Sequence, residues 1–255
     1  MAFNIVKRVT SPLINYLGKK KIKGKFNKDP IIIGGCGRSG TTLLLSIISA
    51  HPEIFVFPKE IAVFSEWHNE KPRLDRFYRY ILLNKIPDDK KRWCEKTPAN
   101  VRYFDKILSY FNNNVKLIHI IRDGRDVMLS KHPKKPGEYW VSPERWLNDV
   151  KAGLEFKDHP NVFTLKYENL ILNYTEVVKN LCNFINENFT KELDDWYDNT
   201  MVKKNEAWNG KVKKLHSNSI AKYKKTSDKK RIKNIMSNEE VVNLLKKLNY
   251  EVENI

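Results

Sequence analysis

Cysteine is scarce: Cys36, Cys94 and Cys182 are the only three, and no two of them are closely spaced. That spacing excludes a disulfide framework and the usual zinc patterns, and a reducing, cytoplasmic setting is the simplest expectation. Long apolar runs are missing too. No stretch reaches the roughly 18 residues that a spanning helix needs, and the amino terminus lacks the short apolar core and small-residue cleavage site of a secretory signal. Acids are absent from residues 1–28, which hold eight Lys and Arg, and only Glu206 and Asp228 oppose twelve Lys and Arg across 203–233. Those two segments account for the net charge of +17 and leave the rest of the chain near neutrality. Such flanks suit nucleic acid, anionic lipid, an acidic polymer or a polyphosphate-like cofactor, and equally a solvated lysine-rich face. No internal repeat interrupts this picture.

What is present suffices for a core. The chain has 255 residues, 41% apolar and 11% aromatic, enough for one globular domain. Segments rich in β-branched residues, at 30–34, 92–95, 115–121 and 161–166, read as strands. Helical patterns fall between them at 41–50, 72–84, 98–112, 124–131 and 143–157. The alternation predicts an α/β fold: a P-loop-type parallel sheet flanked by helices on both faces, with a basic, mostly helical carboxyl-terminal extension. Thr97-Pro98 reads as a helix cap followed by proline at the first helical position. Ser237 to Glu240 reads as a capping box for a last helix, with Val241, Leu244, Leu245 and Leu248 on its apolar face. Residues 1–28 are expected to form a basic leader, 29–255 a single domain, and 203–233 a flap.

Gly35 to Thr42 has the spacing G-x-x-x-x-G-T-T, directly after a strand and before a helix. There, backbone amides and the helix dipole face an anion, and the Thr41 and Thr42 hydroxyls can donate to it. A nucleotide triphosphatase would place lysine after Gly40; Thr41 stands there, and the basic residue is Arg38 inside the loop. No magnesium carboxylate follows an apolar strand. A second constellation, "RDGRDVMLS", puts Arg122 at a strand end and Ser130 on the returning helix, a pair able to grip a second phosphate. Alternatively Arg122, Asp123, Arg125 and Asp126 pair with one another around the turn.

Together the two motifs resemble the sulfotransferase superfamily that uses 3′-phosphoadenosine 5′-phosphosulfate. "GRSGTTLL" looks like that family's 5′-phosphosulfate loop, implying contacts from Gly37, Arg38, Ser39, Gly40, Thr41 and Thr42. "RDGRDVMLS" is similar to its 3′-phosphate motif, implying contacts from Arg122 and Ser130. "KYENL" resembles the strand-end tyrosine motif that places Tyr167 near the adenine. "SIAKYKK" looks like a degraded form of the late loop that closes on the 3′-phosphate, with Ala221 where the family usually has glycine and Lys222 where it often has arginine. The resemblance implies transfer of a sulfuryl group to a hydroxyl or amine, with 3′-phosphoadenosine 5′-phosphate as product and no metal required. It implies Glu60 as general base, with Glu66 and His68 in reserve. From "CEKTPAN" it implies that Lys96 reaches the bridging or sulfuryl oxygen while Arg38 meets the 5′-phosphate.

The acceptor is expected to be a carbohydrate such as a polysaccharide or glycolipid, or a tyrosine; no nucleic-acid partner is expected. The rival readings are a P-loop kinase or hydrolase, and an anionic-polymer binder with a vestigial loop. Phe3, Val6, Val9, Leu13 and Leu17 recur at helical spacing before the cationic run 19–28, although Pro12 is expected to bend or delay a helix. That combination fits peripheral contact with an anionic membrane at its cytoplasmic face.

Overall fold

The computed structural model describes residues 2–68, 70–132, 135–205, 210–211 and 214–252. A long first helix, α1 (Ala2–Lys25), leads into β1 (Ile31–Gly34), the glycine loop and α2 (Thr41–Ile48). Then come β2 (Ile54–Val56), a small antiparallel hairpin of β3 (Trp67–His68) and β4 (Lys71–Pro72), and α3 (Leu74–Leu83). Next are β5 (Arg92–Lys96), a 3-10 turn at Pro98–Tyr103, α4 (Phe104–Tyr110), β6 (Lys116–Ile121), α5 (Gly124–Met128), α6 (Pro143–Leu154) and β7 (Val162–Lys166). Five of these strands make one parallel sheet in the order β2-β5-β1-β6-β7.

Strand periodicity decides what each face buries. On one face Ile31 and Ile33 pack with Leu44, Ile47, Ile118 and Ile120. On the other Ile32 and Leu117 meet Phe55, Phe57, Phe77 and Trp93. Both faces are apolar because both are covered by helices, the arrangement that the alternation of elements predicts. A third apolar cluster, with Val127, Trp146, Ile232, Ile235 and Leu245, fastens the carboxyl-terminal region to α5 and α6.

Several local expectations are corrected. Edge strand β2 was not foreseen; it is only three residues long and pairs with β5 alone. The helix expected at 124–131 stops at Met128, so Ser130 lies beyond it rather than on it. Thr97 does precede Pro98, but its hydroxyl caps nothing; it donates to the Glu95 carboxylate two residues back. The last helix is capped by Asn238, which accepts from the Val241 amide, not by Ser237, which closes the preceding helix. Helix α1 passes through Pro12 without a break. Proline removes a single backbone donor, and beyond it Ile14 and Ile22 pack into the second core. Gly18 lies so close to α3 that a Cβ there would sit 2.6 Å from Tyr78 Cγ.

Downstream of β7 come α7 (Tyr167–Leu172), α8 (Tyr174–Phe184), the short α9 (Lys191–Asp194) and α10 (Trp196–Asn199), and a two-residue hairpin at 204–205 and 210–211. Of the expected flap, 206–209 and 212–213 lie outside the described residues. The chain then forms α11 (Lys222–Lys225), α12 (Lys229–Met236) and α13 (Glu239–Lys247). Ile232 and Ile235 are buried here, so this part is docked.

Candidate active site

In a parallel sheet every strand ends on the same side, and the crevice there is where such sheets bind ligands. The residues singled out from the sequence converge on that side. The glycine loop follows β1, Glu60 follows β2, Lys96 ends β5, Arg122 follows β6 and Tyr167 follows β7.

The loop is built for close approach. Gly40 precedes α2 with φ at 98°, and a Cβ there would lie 2.9 Å from Tyr167 Cε2 and closer still to Cδ2. No other residue type fits that position without moving the ring. Arg38 also takes a left-handed φ, 72°, a strained conformation for a side-chain-bearing residue. Its guanidinium lies 5.6 Å from the Trp140 ring. Ser39 is fully buried, yet its hydroxyl has no hydrogen-bond partner in the structure. A buried donor without a partner costs free energy, so it marks a place where a ligand oxygen would be welcome.

Lys96 joins the loop to the opposite wall. Its side chain is 2% exposed, and its ammonium donates to Thr42 Oγ1 at 3.1 Å and to Glu60 Oε1 at 2.6 Å. Glu60 thus pairs with Lys96 and not with its neighbour Lys59, and its own side chain is half exposed. Behind Lys96 lies a network that sequence reading missed. The fully buried Glu95 accepts from Thr97 Oγ1 and, at 2.7 Å, from Asn100 Nδ2. Asn100 Nδ2 also reaches Ile33 O at 3.1 Å, while Thr97 Oγ1 accepts the Ala62 amide at 3.3 Å. Burial pushes the Glu95 carboxyl up to about 7. One carboxyl therefore ties the end of β1 to the loop that carries Glu60.

The second constellation forms a separate wall. Arg122 stacks on the Tyr167 ring at 4.3 Å and donates to Arg38 O at 3.1 Å and to Ser219 O. The Tyr167 hydroxyl and Ser219 Oγ are 2.6 Å apart. Burial and then the Arg122 charge hold Arg38 below the usual guanidinium range. Burial, then Arg122, hold the Lys222 ammonium low as well, with Arg38 adding to the effect and Asp126 opposing it. Buried cations gathered beside Arg122 in this way are a receptacle for anions. Asp126 is the nearby carboxylate, 3.8 Å from Arg122, and burial raises it. Arg125 takes Asp123 for itself at 2.7 Å, so the local pairing considered from the sequence holds for that pair.

Ser130 is not brought against Arg122. Its hydroxyl donates to Asp126 O at 3.3 Å, while the Asp126 carboxylate stands 3.8 Å from Arg122. Glu66 pairs with Arg76 at 2.8 Å and with Arg73; the side chain of His68 is outside the described residues. Ser219 was missed as a partner, although it lies inside a quoted motif, because its contacts with Tyr167 and Arg122 join segments far apart in sequence. Ala221, where glycine was the expected type, has φ at 54°, a left-handed turn that glycine makes freely.

The residues present fit a nucleotide carrying phosphate groups at two ends: a buried unpartnered hydroxyl in a glycine loop at one, a crowded cation cluster at the other. Among the described residues no group of three His, Cys, Asp or Glu side chains is placed to hold a metal ion.

Comparison with known proteins agrees. The family model "Sulfotransferase domain" matches residues 28–248. Sulfotransferase 2A1 of Mus musculus is 24% identical over 216 residues, 75% of this chain and 73% of that protein. Protein-tyrosine sulfotransferase 1 of Danio rerio is 26% identical over 196 residues, 63% of this chain and 54% of that protein. Other curated relatives extend well beyond the match, down to 32% of their length covered. Among solved structures, the sulfotransferase domain of the Synechococcus PCC 7002 olefin synthase superposes with a TM-score of 0.64 at 16% identity, covering 90% of this chain and 97% of that one. Mouse sulfotransferase SULT7A1 complexed with PAP superposes at 0.54 and 17% identity, covering 87% and 89%.

Proposed function

The chain belongs to the sulfotransferase domain family and is a transferase of that type, and from that membership we propose that it moves a sulfuryl group from 3′-phosphoadenosine 5′-phosphosulfate to an acceptor hydroxyl, with Glu60 as base. The observation that carries this reading is the double contact of Lys96, which spans the amino terminus of α2 and the Glu60 carboxylate.

The donor, when bound, supplies the sulfuryl group and leaves as the 5′-phosphate. The chain supplies position and charge. Gly37, Ser39, Gly40, Thr41 and Thr42, with Arg38, cradle the 5′ end, where the amides of α2 and the Ser39 hydroxyl are available. Arg122, Ser130 and Lys222 hold the 3′-phosphate, beside the Ser219 region. Tyr167 supports Arg122 from below. Lys96 steadies one oxygen of Glu60, and the exposed remainder of that carboxylate can take the proton of an entering hydroxyl. No metal is needed for that sequence of events, because the positive charge comes from Arg38 and Lys96.

A carbohydrate hydroxyl is the first acceptor we propose. A tyrosine hydroxyl is the second, favoured by relatives named protein-tyrosine sulfotransferases. Residues 29–255 would act as one unit, with the part of 203–233 that precedes the docked α12 closing over the donor.

The test is a Glu60→Gln variant assayed with labelled donor against polysaccharide, glycolipid and tyrosine-peptide acceptors. Turnover should fall by roughly 10²-fold or more, while affinity for 3′-phosphoadenosine 5′-phosphate stays within about twofold. Undiminished turnover would move the base elsewhere, and failure of the wild-type chain to bind that nucleotide would overturn the donor assignment.

A further inference from the structure

Helix α1 has two faces. The inner one, Ile14, Gly18 and Ile22, is pressed onto α3, and Lys21 Nζ reaches over to Ile81 O at 2.7 Å. The outer one carries Leu13, Tyr16 and Leu17, exposed by 59%, 65% and 41%. These three are among only seven large apolar side chains so exposed in the described residues, and they fall within five positions. A cluster of that kind is not the scatter of single exposed apolar groups found on ordinary surfaces. Lys20 continues the same stripe one turn later, Lys19 and Lys23 flank it, and all three are exposed. No acid occurs in residues 1–28 to neutralise them.

The direction of the helix matters as well. Gly18 meets Tyr78, Lys21 meets Ile81 and Lys25 meets Asp88, so α1 runs parallel to α3. The amino-terminal end of α3 is tied to the loop after Glu60, through the Arg73 amide on Val63 O at 2.9 Å and Arg76 on Ala62 O at 3.2 Å. The amino-terminal half of α1 therefore leads toward the mouth of the candidate site.

We propose that this outer face docks on an anionic lipid bilayer, with Leu13, Tyr16 and Leu17 at the headgroup boundary and Lys19, Lys20 and Lys23 against the lipid charge. An apolar stripe rimmed only by cations matches a surface that is apolar in depth and negative at its rim. A second copy of the chain fits less well. A twofold contact would place the same patch against itself, opposing lysine to lysine with no acid to pair them.

The experiment is cosedimentation of the full chain with vesicles of phosphatidylcholine alone or mixed with phosphatidylglycerol, at low and high salt. Variants are Leu13→Asp with Leu17→Asp, and Lys19→Glu with Lys20→Glu and Lys23→Glu. Wild type should bind only the anionic vesicles and be released by salt. Each lysine near the surface multiplies partitioning by about fivefold, so the triple lysine variant should bind at least about a hundredfold less. The leucine variant should lose binding too, with both variants keeping the wild-type melting temperature because the changed groups are exposed. Wild type that fails to sediment, variants that bind as wild type does, or equal binding to neutral vesicles would each overturn the proposal. So would a dimer in solution that the leucine variant dissolves while vesicles remain unbound.

Discussion

Replacing Gly40 by alanine adds one methyl group at the point where the loop, Tyr167 and the Arg122 wall meet. The backbone there has φ at 98°, and the new Cβ would lie within 2.9 Å of Tyr167 Cε2 and 3.4 Å of Ile120 Cδ1. A left-handed conformation costs an L-residue about 1–2 kcal/mol, and overpacking a tight site costs about 1–3 kcal/mol more. The sum, about 2–5 kcal/mol, corresponds to a drop in Tm of about 4–20 °C for a domain of this size. The ring cannot yield freely, because its hydroxyl is held by Ser219 at 2.6 Å and its face by Arg122 at 4.3 Å. If it yields, the cation–π contact with Arg122 weakens. Such contacts are worth about 0.5–2 kcal/mol, so affinity for 3′-phosphoadenosine 5′-phosphate should fall by about three- to thirtyfold. Gly137 supplies the control, with φ at 85° and nothing within 4 Å of its would-be Cβ. Alanine there bears only the conformational cost, partly offset by a stiffer unfolded chain, and should leave nucleotide binding unchanged. Calorimetric melting and nucleotide titration of the two variants decide the matter; equal losses of Tm and equal affinities would refute the steric coupling of loop and tyrosine.

Ala221→Gly should raise stability by about 0.5–1 kcal/mol, since relief of a left-handed alanine outweighs the added freedom of the unfolded chain; a lower Tm would show that φ of 54° carries no strain. Arg122→Ala and Lys222→Ala should weaken 3′-phosphoadenosine 5′-phosphate by about tenfold or more while hardly affecting adenosine 5′-phosphate; equal weakening of both ligands would assign these cations to structure alone. Glu95 gives a pH signature. Its folded carboxyl is raised to about 7 from an ordinary value of 4.5, so the native state keeps a proton that the unfolded chain releases. That stability is fully present below about 4.5 and is lost as pH rises to about 7, at about 1.4 kcal/mol per unit or about 3 kcal/mol in all. Stability-versus-pH curves of wild type and Glu95→Gln should therefore converge or cross between these values, and parallel curves would show that Glu95 ionises normally.

What could be read from the sequence was whatever depends on neighbours along the chain. Strand and helix alternation follows from periodicity, and four of the five sheet strands, β1, β5, β6 and β7, coincide to within a residue with the segments that the sequence marks as strands. The glycine loop was legible for the same reason: its spacing, its strand before and its helix after are all local. Edge strand β2 was not, since three residues paired on one side carry too little pattern to stand out. The contacts that complete the site are longer in range. Lys96 and Glu60 are each plausible candidates alone, but only the adjacency of β2 and β5 in the sheet brings them within 2.6 Å. Ser219 reaches Tyr167 across 52 positions because α12 and α13 anchor the carboxyl-terminal region over α5 and α6. Glu95 was invisible for a different reason. An acid next to a strand-end lysine reads as a solvated charge, and only the fold reveals that its alternate position on β5 points it inward, onto Thr97 and Asn100. The chemistry of this site is thus written in local motifs, while the order in which the strands lie decides which of those motifs can act on one another.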